Sequence, residues 1–408
     1  MHTIFVAPHF PAGQRRFAQG LKNVGARITG IIDCPIDFVD SAVRALMDDY
    51  ERVSSLADED AMVAAVQRIQ ARSPGVDRLE ATIESHTLMT ARVRERCEIP
   101  GLSYAVVERC RDKLLMKQFL AKHGIPGARA AQVSTAKDAW DFANQVGFPL
   151  ILKPRDGAGA YATYKLENAE QLSMALAQTG LDKRVGYFII EQFVSGHEGF
   201  YDTLTVGGKV VFEFVSHYYP NVLTAMRDRS VSPVIIATNR VEQGGYMELR
   251  HFGRKVVTAL GIDTAATHME WFFGEKGLLF AEIGARPPGV NYWDVYSAIG
   301  EVDIYTEWAR AVCWGDVHAT PSRQYSGGIV SIRPDRDGHI RGYAGADEVQ
   351  RRFGEYIFKA RLPPEGTATQ PIEAGYLANA YVCVKHEDYD TCRDILQEIG
   401  RTLKLYAA

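Results

Sequence analysis

Two glutamates twelve residues apart carry the strongest chemical suggestion in this chain. They lie in His268-Met269-Glu270-Trp271-Phe272-Phe273-Gly274-Glu275-Lys276-Gly277-Leu278-Leu279-Phe280-Ala281-Glu282-Ile283-Gly284-Ala285-Arg286. The two arms are strand-like, and a Gly-containing turn joins them, so the stretch reads as a β-hairpin. A three-residue loop, Glu275-Lys276-Gly277, sets Glu270 opposite Glu282 on one face. The other face is then Met269, Trp271, Phe273, Leu279, Ala281 and Ile283, all apolar. A slip of one residue would scatter that apolar face, which argues for this register.

Facing carboxylates repel and weaken a sheet. A divalent cation between them converts the repulsion into a ligand pair. Hard oxygen donors suit Mg²⁺, which takes few protein ligands and leaves positions for phosphate oxygens. Arg286, four residues past Glu282, is placed to hold a phosphate or carboxylate. A solvated hairpin face with two scattered acids would give the same spacing, since exposed acids are ordinary.

The elements around this hairpin must position it. The chain has 408 residues, enough for two to four domains, with 46% hydrophobic and 24% charged residues. A net charge of −4 gives no reason to expect nucleic acid or a membrane as partner. Six cysteines, none in CxxC spacing, fit a reduced, cytoplasmic protein and argue against a Cys-rich zinc site. No signal sequence and no bilayer-length apolar run is visible. Strand 4–7, helix 14–24 and strand 28–33 suggest a parallel α/β unit, with further elements at 60–72 and 77–83. Residues 112–123 form a helix with Leu115, Phe119 and Leu120 on one face. Strands and helices then alternate at 130–133, 136–146, 149–153, 162–166, 169–178 and 187–191. From Gly199 the pattern becomes β-rich, with a hairpin turn at Gly207-Gly208. Helices follow at 246–260, 302–314 and 389–400.

Further polar groups punctuate these elements. Lys153 ends an apolar strand and precedes Pro154-Arg155-Asp156-Gly157-Ala158-Gly159-Ala160. A lysine at the mouth of a Gly-rich loop outlines a phosphate site, with backbone N–H groups and an ammonium supplying the contacts. It is neither a P-loop nor a dinucleotide fingerprint, and a plain surface turn has the same composition. Lys113 sits near a helix start. Glu191-Gln192-Phe193-Val194 ends a strand whose backbone could meet a purine edge, with Glu198 beyond it for ribose hydroxyls.

In order, Lys113, Lys153 with its Gly-rich loop, Glu191 to Val194 with Glu198, then Glu270, Glu282 and Arg286 resemble the ATP-grasp superfamily. The resemblance covers roughly residues 103–315. It is nearest to carboxylate–amine ligases similar to biotin carboxylase and the L-amino-acid ligases. It implies an α/β and α+β multidomain chain. A Rossmann-like pre-ATP-grasp domain would span 1–102. A two-lobed ATP-grasp domain would span 103–318, with its small lobe near 125–190 and its large lobe near 191–318. A small β-rich α+β domain would take 319–408. The resemblance also assigns roles. Lys113 and Lys153 would contact ATP phosphates, and the loop with Gly157 and Gly159 would close over them. The backbone of Glu191, Phe193 and Val194 would recognise adenine, and Glu198 would hold ribose. Glu270 and Glu282 would bind Mg²⁺ or Mn²⁺. Arg286 would stabilise the transferring phosphoryl or acyl phosphate, making Arg286 and Lys153 the expected catalytic pair. One departure stands out: the usual Glu-x-Asn-x-Arg is Glu282-Ile283-Gly284-Ala285-Arg286, and Gly284 offers no ligand for a second metal.

The implied activity is ATP-dependent amide formation on an amino acid or small carboxylic acid through an acyl phosphate. A bicarbonate-activating carboxylase and an ATP-binding protein without ligase activity are the alternatives. A Rossmann dehydrogenase fits poorly, because Pro8-His9-Phe10-Pro11 follows the first strand where glycines would be needed. His217, Arg227 and Arg286 are the candidate substrate contacts, with Arg333 a further one. Partners would be ATP and small molecules, and relatives of this type commonly form homodimers.

Overall fold

The computed structural model describes all residues except 74, 156–161, 184–185 and 372–378, so the glycine loop at Gly157 and Gly159 lies outside the described residues. The N-terminal unit is a four-stranded parallel sheet in the order Asp49–Arg52, Arg27–Ile32, His2–Val6, Arg78–Glu80. All five residues of His2–Val6 are buried, as expected for a parallel strand covered on both faces. Helix Gln14–Asn23 docks this unit onto the rest of the chain. Phe17 meets the rings of Trp293, Tyr305 and Trp308 at 4.9–5.1 Å between centroids. Gly20 makes the approach close: a Cβ there would sit 2.4 Å from the Tyr305 carbonyl oxygen.

The second sheet is antiparallel and small, in the order Ala130–Val133, Phe188–Gln192, Leu150–Pro154, Tyr164–Leu166. Helices Ala136–Val146 and Ala169–Thr179 bury Phe142, Leu172 and Leu176 against it. Thr135 and Asp138 form a capping box at the start of the first helix, which satisfies N–H groups that would otherwise be orphaned.

The third sheet has eight strands, in the order Gly277–Gly284, Ala265–Gly274, His197–Val206, Lys209–Tyr219, Val234–Ala237, Ser326–Ile332, Ala380–His386, Ile357–Arg361. The last three come from beyond residue 318 and continue the same ladder. On one face the sheet packs on helix Gly244–Leu260 through Tyr201, Val215, Met269 and Trp271. On the other it packs on helices Tyr292–Gly300 and Ile304–Trp314. Toward the small sheet that second face is left open and becomes the floor of a cavity.

The glutamate hairpin keeps the expected rung: Glu270 pairs with Glu282, flanked by Met269 with Ile283 and His268 with Gly284. Nearer the tip the register differs. Trp271 pairs with Phe280 and Gly274 with Gly277, so Ala281 is an extra residue and the turn is two residues long. Gly277, directly after the turn, has φ 75°, a left-handed conformation that favours glycine. The bulge moves Leu278 and Phe280 onto the buried face with Met269, Trp271 and Ile283. Leu279 and Ala281, expected there, are not in that core, and Phe273 is 53% exposed. A single inserted residue reverses the facing of every position between it and the turn.

Candidate functional site

A cavity of about 580 Å³ opens between the small sheet and the large one, within the size range of small-molecule sites. Seven of its charged groups come from four elements. Helix Lys113–Lys122 supplies Lys113 and Lys117, one turn apart on one face. The small sheet supplies Lys153 and Glu191. Strand His197–Val206 supplies Glu198, and the hairpin supplies Glu270 and Glu282. The helix that carries the lysines starts at Asp112, whose carboxylate accepts from the N–H groups of Leu114 and Leu115. The same carboxylate receives Arg155 Nη2 at 2.6 Å and the Tyr187 hydroxyl at 2.9 Å. One N-cap therefore ties the start of the Lys113 helix to the end of the Lys153 strand.

Lys113 Nζ lies 3.2 Å from Glu282 Oε2. Glu191 is buried between Lys153 Nζ at 3.2 Å and Lys117 Nζ at 3.6 Å. Lys117 Nζ also donates to the Ala281 carbonyl at 2.8 Å, a carbonyl on the extra residue of the bulge. Burial would push the Glu282 carboxyl up, but Lys113, Lys153 and Lys117 outweigh it and hold it at about 2. Burial likewise opposes ionisation of Glu191, and Lys117 and Lys153 reverse that effect. Lys117 itself is lowered, chiefly by burial, whereas Glu191, Glu282 and Glu270 raise Lys153 despite its burial. Glu191 and Glu282 are thus held ionised beside the lysines in a buried setting, where charge acts strongly.

Glu270 and Glu282 suit a hard divalent cation, since both face the cavity from one rung. Among the described residues no group of three His, Cys, Asp or Glu forms a metal cage. Most of an octahedral shell would therefore fall to phosphate oxygens and water, as is usual for Mg²⁺. Behind Glu270, His268 Nδ1 is 2.6 Å from the buried Asp202, and its Nε2 is 3.8 Å from Glu270 Oε1. Burial would lower this imidazole, but Asp202 raises it to about 9. It stands opposite Gly284, two rungs from the Glu270–Glu282 pair.

Other candidates fall in varied places. Phe193 and Val194 line the cavity, and Lys165 Nζ sits 4.3 Å from the Phe193 ring centre. The backbone of Glu191 is a rung of the small sheet, paired with Ala130 and Ile151. Phe193 N donates to Pro149 O, so Val194 is the first residue past the ladder. Glu198 Oε2 accepts from Val222 N at 2.7 Å, which pins the loop before helix Val222–Ala225. Burial and nearby Glu270 raise the Glu198 carboxyl to about 8. Arg227 lines the cavity and donates to the Thr163 carbonyl at 3.0 Å. Arg333 is buried and donates to the carbonyls of Ala225 and Asp228. Arg286 is off the main cavity, bridged to Glu84. Lys117, His268 and Asp202 were not singled out in the sequence. For Lys117 a signal existed, four residues after Lys113 and hence on the same helical face.

His217 is not among the cavity-lining residues. It is buried, with Nδ1 2.8 Å from His197 Nε2 and Nε2 3.0 Å from the Tyr246 hydroxyl, among Tyr219, Trp271 and Tyr389. Burial, with His197 adding to it, depresses His217 to about 3. A histidine depressed in the folded state contributes stability fully above its unfolded pKa, near 6.5, and loses it as pH falls toward the folded value. At pH 5 this one group should remove about 2 kcal/mol of stability relative to pH 7.5. Chemical denaturation of wild type and His217→Gln at the two pH values would check this. An equal pH loss in both proteins would rule out His217 as the titrating group.

No family profile matches the chain. The L-arginine-specific L-amino acid ligase of Bacillus subtilis is 24% identical over 320 residues, 76% of each chain. The alanine–anticapsin ligase of B. subtilis is 26% identical over 274 residues, covering 59% of this chain and 55% of that one. Among solved structures, the L-amino acid ligase of Bacillus licheniformis superposes over 100% of this chain and 98% of its own, with a TM-score of 0.77 at 17% identity. The N5-carboxyaminoimidazole ribonucleotide synthetase of Thermotoga maritima covers 100% of this chain and 99% of its own, with a TM-score of 0.73 at 17% identity. A biotin carboxylase domain from Hydrogenobacter thermophilus, solved with MgADP and bicarbonate, superposes with a TM-score of 0.69 at 17% identity over 99% of this chain and 90% of its own. The chain thus shares the mixed α/β fold of these ATP-grasp structures.

Proposed function

We propose that the protein is an ATP-dependent ligase that joins a carboxylate to an amine, acting on an amino acid or small carboxylic acid through an acyl phosphate. The observation that carries this reading is the Glu270–Glu282 rung facing Lys113, Lys117 and Lys153 inside one cavity. A substrate carboxylate attacks the γ-phosphorus of ATP, and ADP leaves with the electron pair of the broken P–O bond. The amine then attacks the acyl carbon, phosphate departs, and the nitrogen loses its proton. Neither step needs a protein nucleophile. Both need charge neutralisation and alignment, which lysines, an arginine and a cation between two carboxylates supply.

In this reading Lys113, Lys117 and Lys153 meet the phosphates, and Phe193 with Val194 borders the adenine. Glu198, held by Val222 N, shapes the wall on the ribose side. Glu270 and Glu282 would hold a divalent cation, which would supply positive charge against the phosphates.

The test is an ADP-release screen with amino acids offered singly and in pairs, followed by mass spectrometry of the products. Release that requires both an acid and an amine, with a product one water lighter than their sum, is the expected result. Release driven by bicarbonate alone, without response to amino acids, would replace the reading with a carboxylase. ATP binding with no release on any panel would leave a nucleotide-binding protein.

A further inference from the structure

Each glutamate of the hairpin rung brings two oxygens, and a nitrogen of the chain faces one oxygen of each. Lys113 Nζ lies 3.2 Å from Glu282 Oε2. His268 Nε2 lies 3.8 Å from Glu270 Oε1. Both nitrogens are fixed from behind. Lys113 is buried in the first turn of a helix capped by Asp112. His268 is held through its other ring nitrogen, since Asp202 Oδ1 accepts from its Nδ1 at 2.6 Å. Asp202 Oδ2 in turn accepts from the Tyr296 hydroxyl at 2.7 Å. Asp202 and Tyr296 are buried. The imidazole therefore cannot turn from Glu270 without stranding a buried carboxylate, which is costly. A carboxylate that orients a histidine, which orients a metal-binding carboxylate, is the way outer groups fix a metal's ligands.

The neighbouring positions on this face add no oxygen donor. Strand facing repeats every two residues, so the Glu270–Glu282 rung is flanked by Phe272 on one side and by His268 opposite Gly284 on the other. Gly284 has no side chain to offer. A Cβ there would sit 3.3 Å from Arg286 Cγ and 3.5 Å from its Nε, so the Arg286 side chain already borders that space. A second cation beside the first would meet nitrogens where it needs oxygens, and hard divalent cations require oxygen.

We propose that Glu270 and Glu282 together hold a single divalent cation, and that His268 is the residue that keeps the number at one. This rests on the nucleotide and metal reading of the cavity. His268 becomes a positioning residue with two effects. It fixes the orientation of Glu270 toward Glu282, and it occupies the place beside Glu270 where a further cation would need a ligand. His268 thus does at Glu270 what Lys113 does at Glu282.

Mn²⁺ serves as the probe, titrated into full-length protein saturated with AMP-PNP, whose γ-phosphoryl is not transferred. Bound Mn²⁺ is counted by EPR from the loss of the free-ion signal. Wild type should hold one Mn²⁺ per chain. His268→Asn should hold two, because the imidazole leaves Glu270 and an amide oxygen joins the same face. Adding Asp202→Asn to His268→Asn removes the buried carboxylate that would lose its partner, and the same count of two is expected from that double variant. Far-ultraviolet circular dichroism identifies the variants that fold. Two Mn²⁺ in wild type overturns the proposal, as does a folded double variant that still holds one. Glu282→Gln separates this failure from failure of the metal reading: it should bind Mn²⁺ about tenfold or more weakly, and binding as tight as wild type would take the cation off the glutamate rung altogether. Turnover is not measured, so a count of one combined with an empty ADP-release screen would keep the single cation and discard the ligase reading.

Discussion

Glu282→Gln is expected to lower ADP release from Mg·ATP by two to three orders of magnitude, roughly the loss seen when one fixed electrostatic contact to a transferring group is removed. The fold should survive. The substitution keeps the side chain's size, and it ends the like-charge contact with Glu270 across the rung, which is itself unfavourable. The melting temperature should fall by several degrees, because the lost pairing with Lys113 is only partly offset by that relief. The cause of the lost activity is specific. Lys113, Lys153 and Lys117 hold Glu282 ionised down to about pH 2, so wild type presents a full negative charge at every working pH. Glutamine presents a neutral oxygen, a far weaker ligand for a hard cation. Glu275→Gln at the exposed hairpin turn is the matched control, with unchanged rates expected. A Glu282→Gln enzyme that releases ADP at the wild-type rate would show that the metal lies elsewhere.

The rung behind this prediction was legible in the sequence because a strand's facing has a period of two. Alternation over Met269, Trp271 and Ile283 is enough to put Glu270 and Glu282 on one side. The bulge was not legible. One extra residue leaves no mark in composition, and Leu278-Leu279-Phe280-Ala281 is apolar at every position, so either facing reads as core. The lysines show a similar boundary. Lys113 and Lys153 stand at an element's start and end, where spacing along the chain is informative. Lys117 acquires its meaning only from Glu191 and the Ala281 carbonyl, both far away in sequence. On the helix that carries them, Leu114, Met116 and Leu120 join the two lysines in the interior, whereas Leu115 and Phe119, expected inside, are half-buried.

Polar residues that look alike in sequence separate by what surrounds them. His217 and His268 both lie within strands, each directly after a hydroxyl residue, Ser216 and Thr267. His268 meets a buried carboxylate and stays a cation beside Glu270, while His217 meets another histidine and four aromatic residues and stays neutral. Arg286 was readable as an anion binder, but its resident anion, Glu84, belongs to a helix two hundred residues earlier. No local pattern carries that pairing. The docking of the N-terminal unit creates it, through Phe17, Gly20 and the helix Ile304–Trp314.

Glu191→Gln should cost more stability than any other single change at the site. Glu191 is 6% exposed, and its two oxygens face Lys117 and Lys153. Removing three buried charges from water is expensive, and the attraction among them is what offsets it. Neutralising the carboxylate leaves two ammoniums close together with their shared partner gone, and Lys153 already opposes protonation of Lys117. Breaking a buried pair in this way costs about 3–5 kcal/mol. The urea midpoint of nucleotide-free protein should fall accordingly. Two further results separate this charge argument from a simple packing defect. Mg·ATP at 100 times its dissociation constant should return about 2.7 kcal/mol to any variant that still binds it, with the phosphates standing in for the lost carboxylate. Adding Lys117→Met to Glu191→Gln should restore stability without nucleotide, because it removes one uncompensated ammonium and leaves an apolar chain of similar length. If the double variant is less stable than Glu191→Gln alone, the trio is held by shape and not by charge. The phosphate-binding role assigned to these lysines would then need a different physical basis.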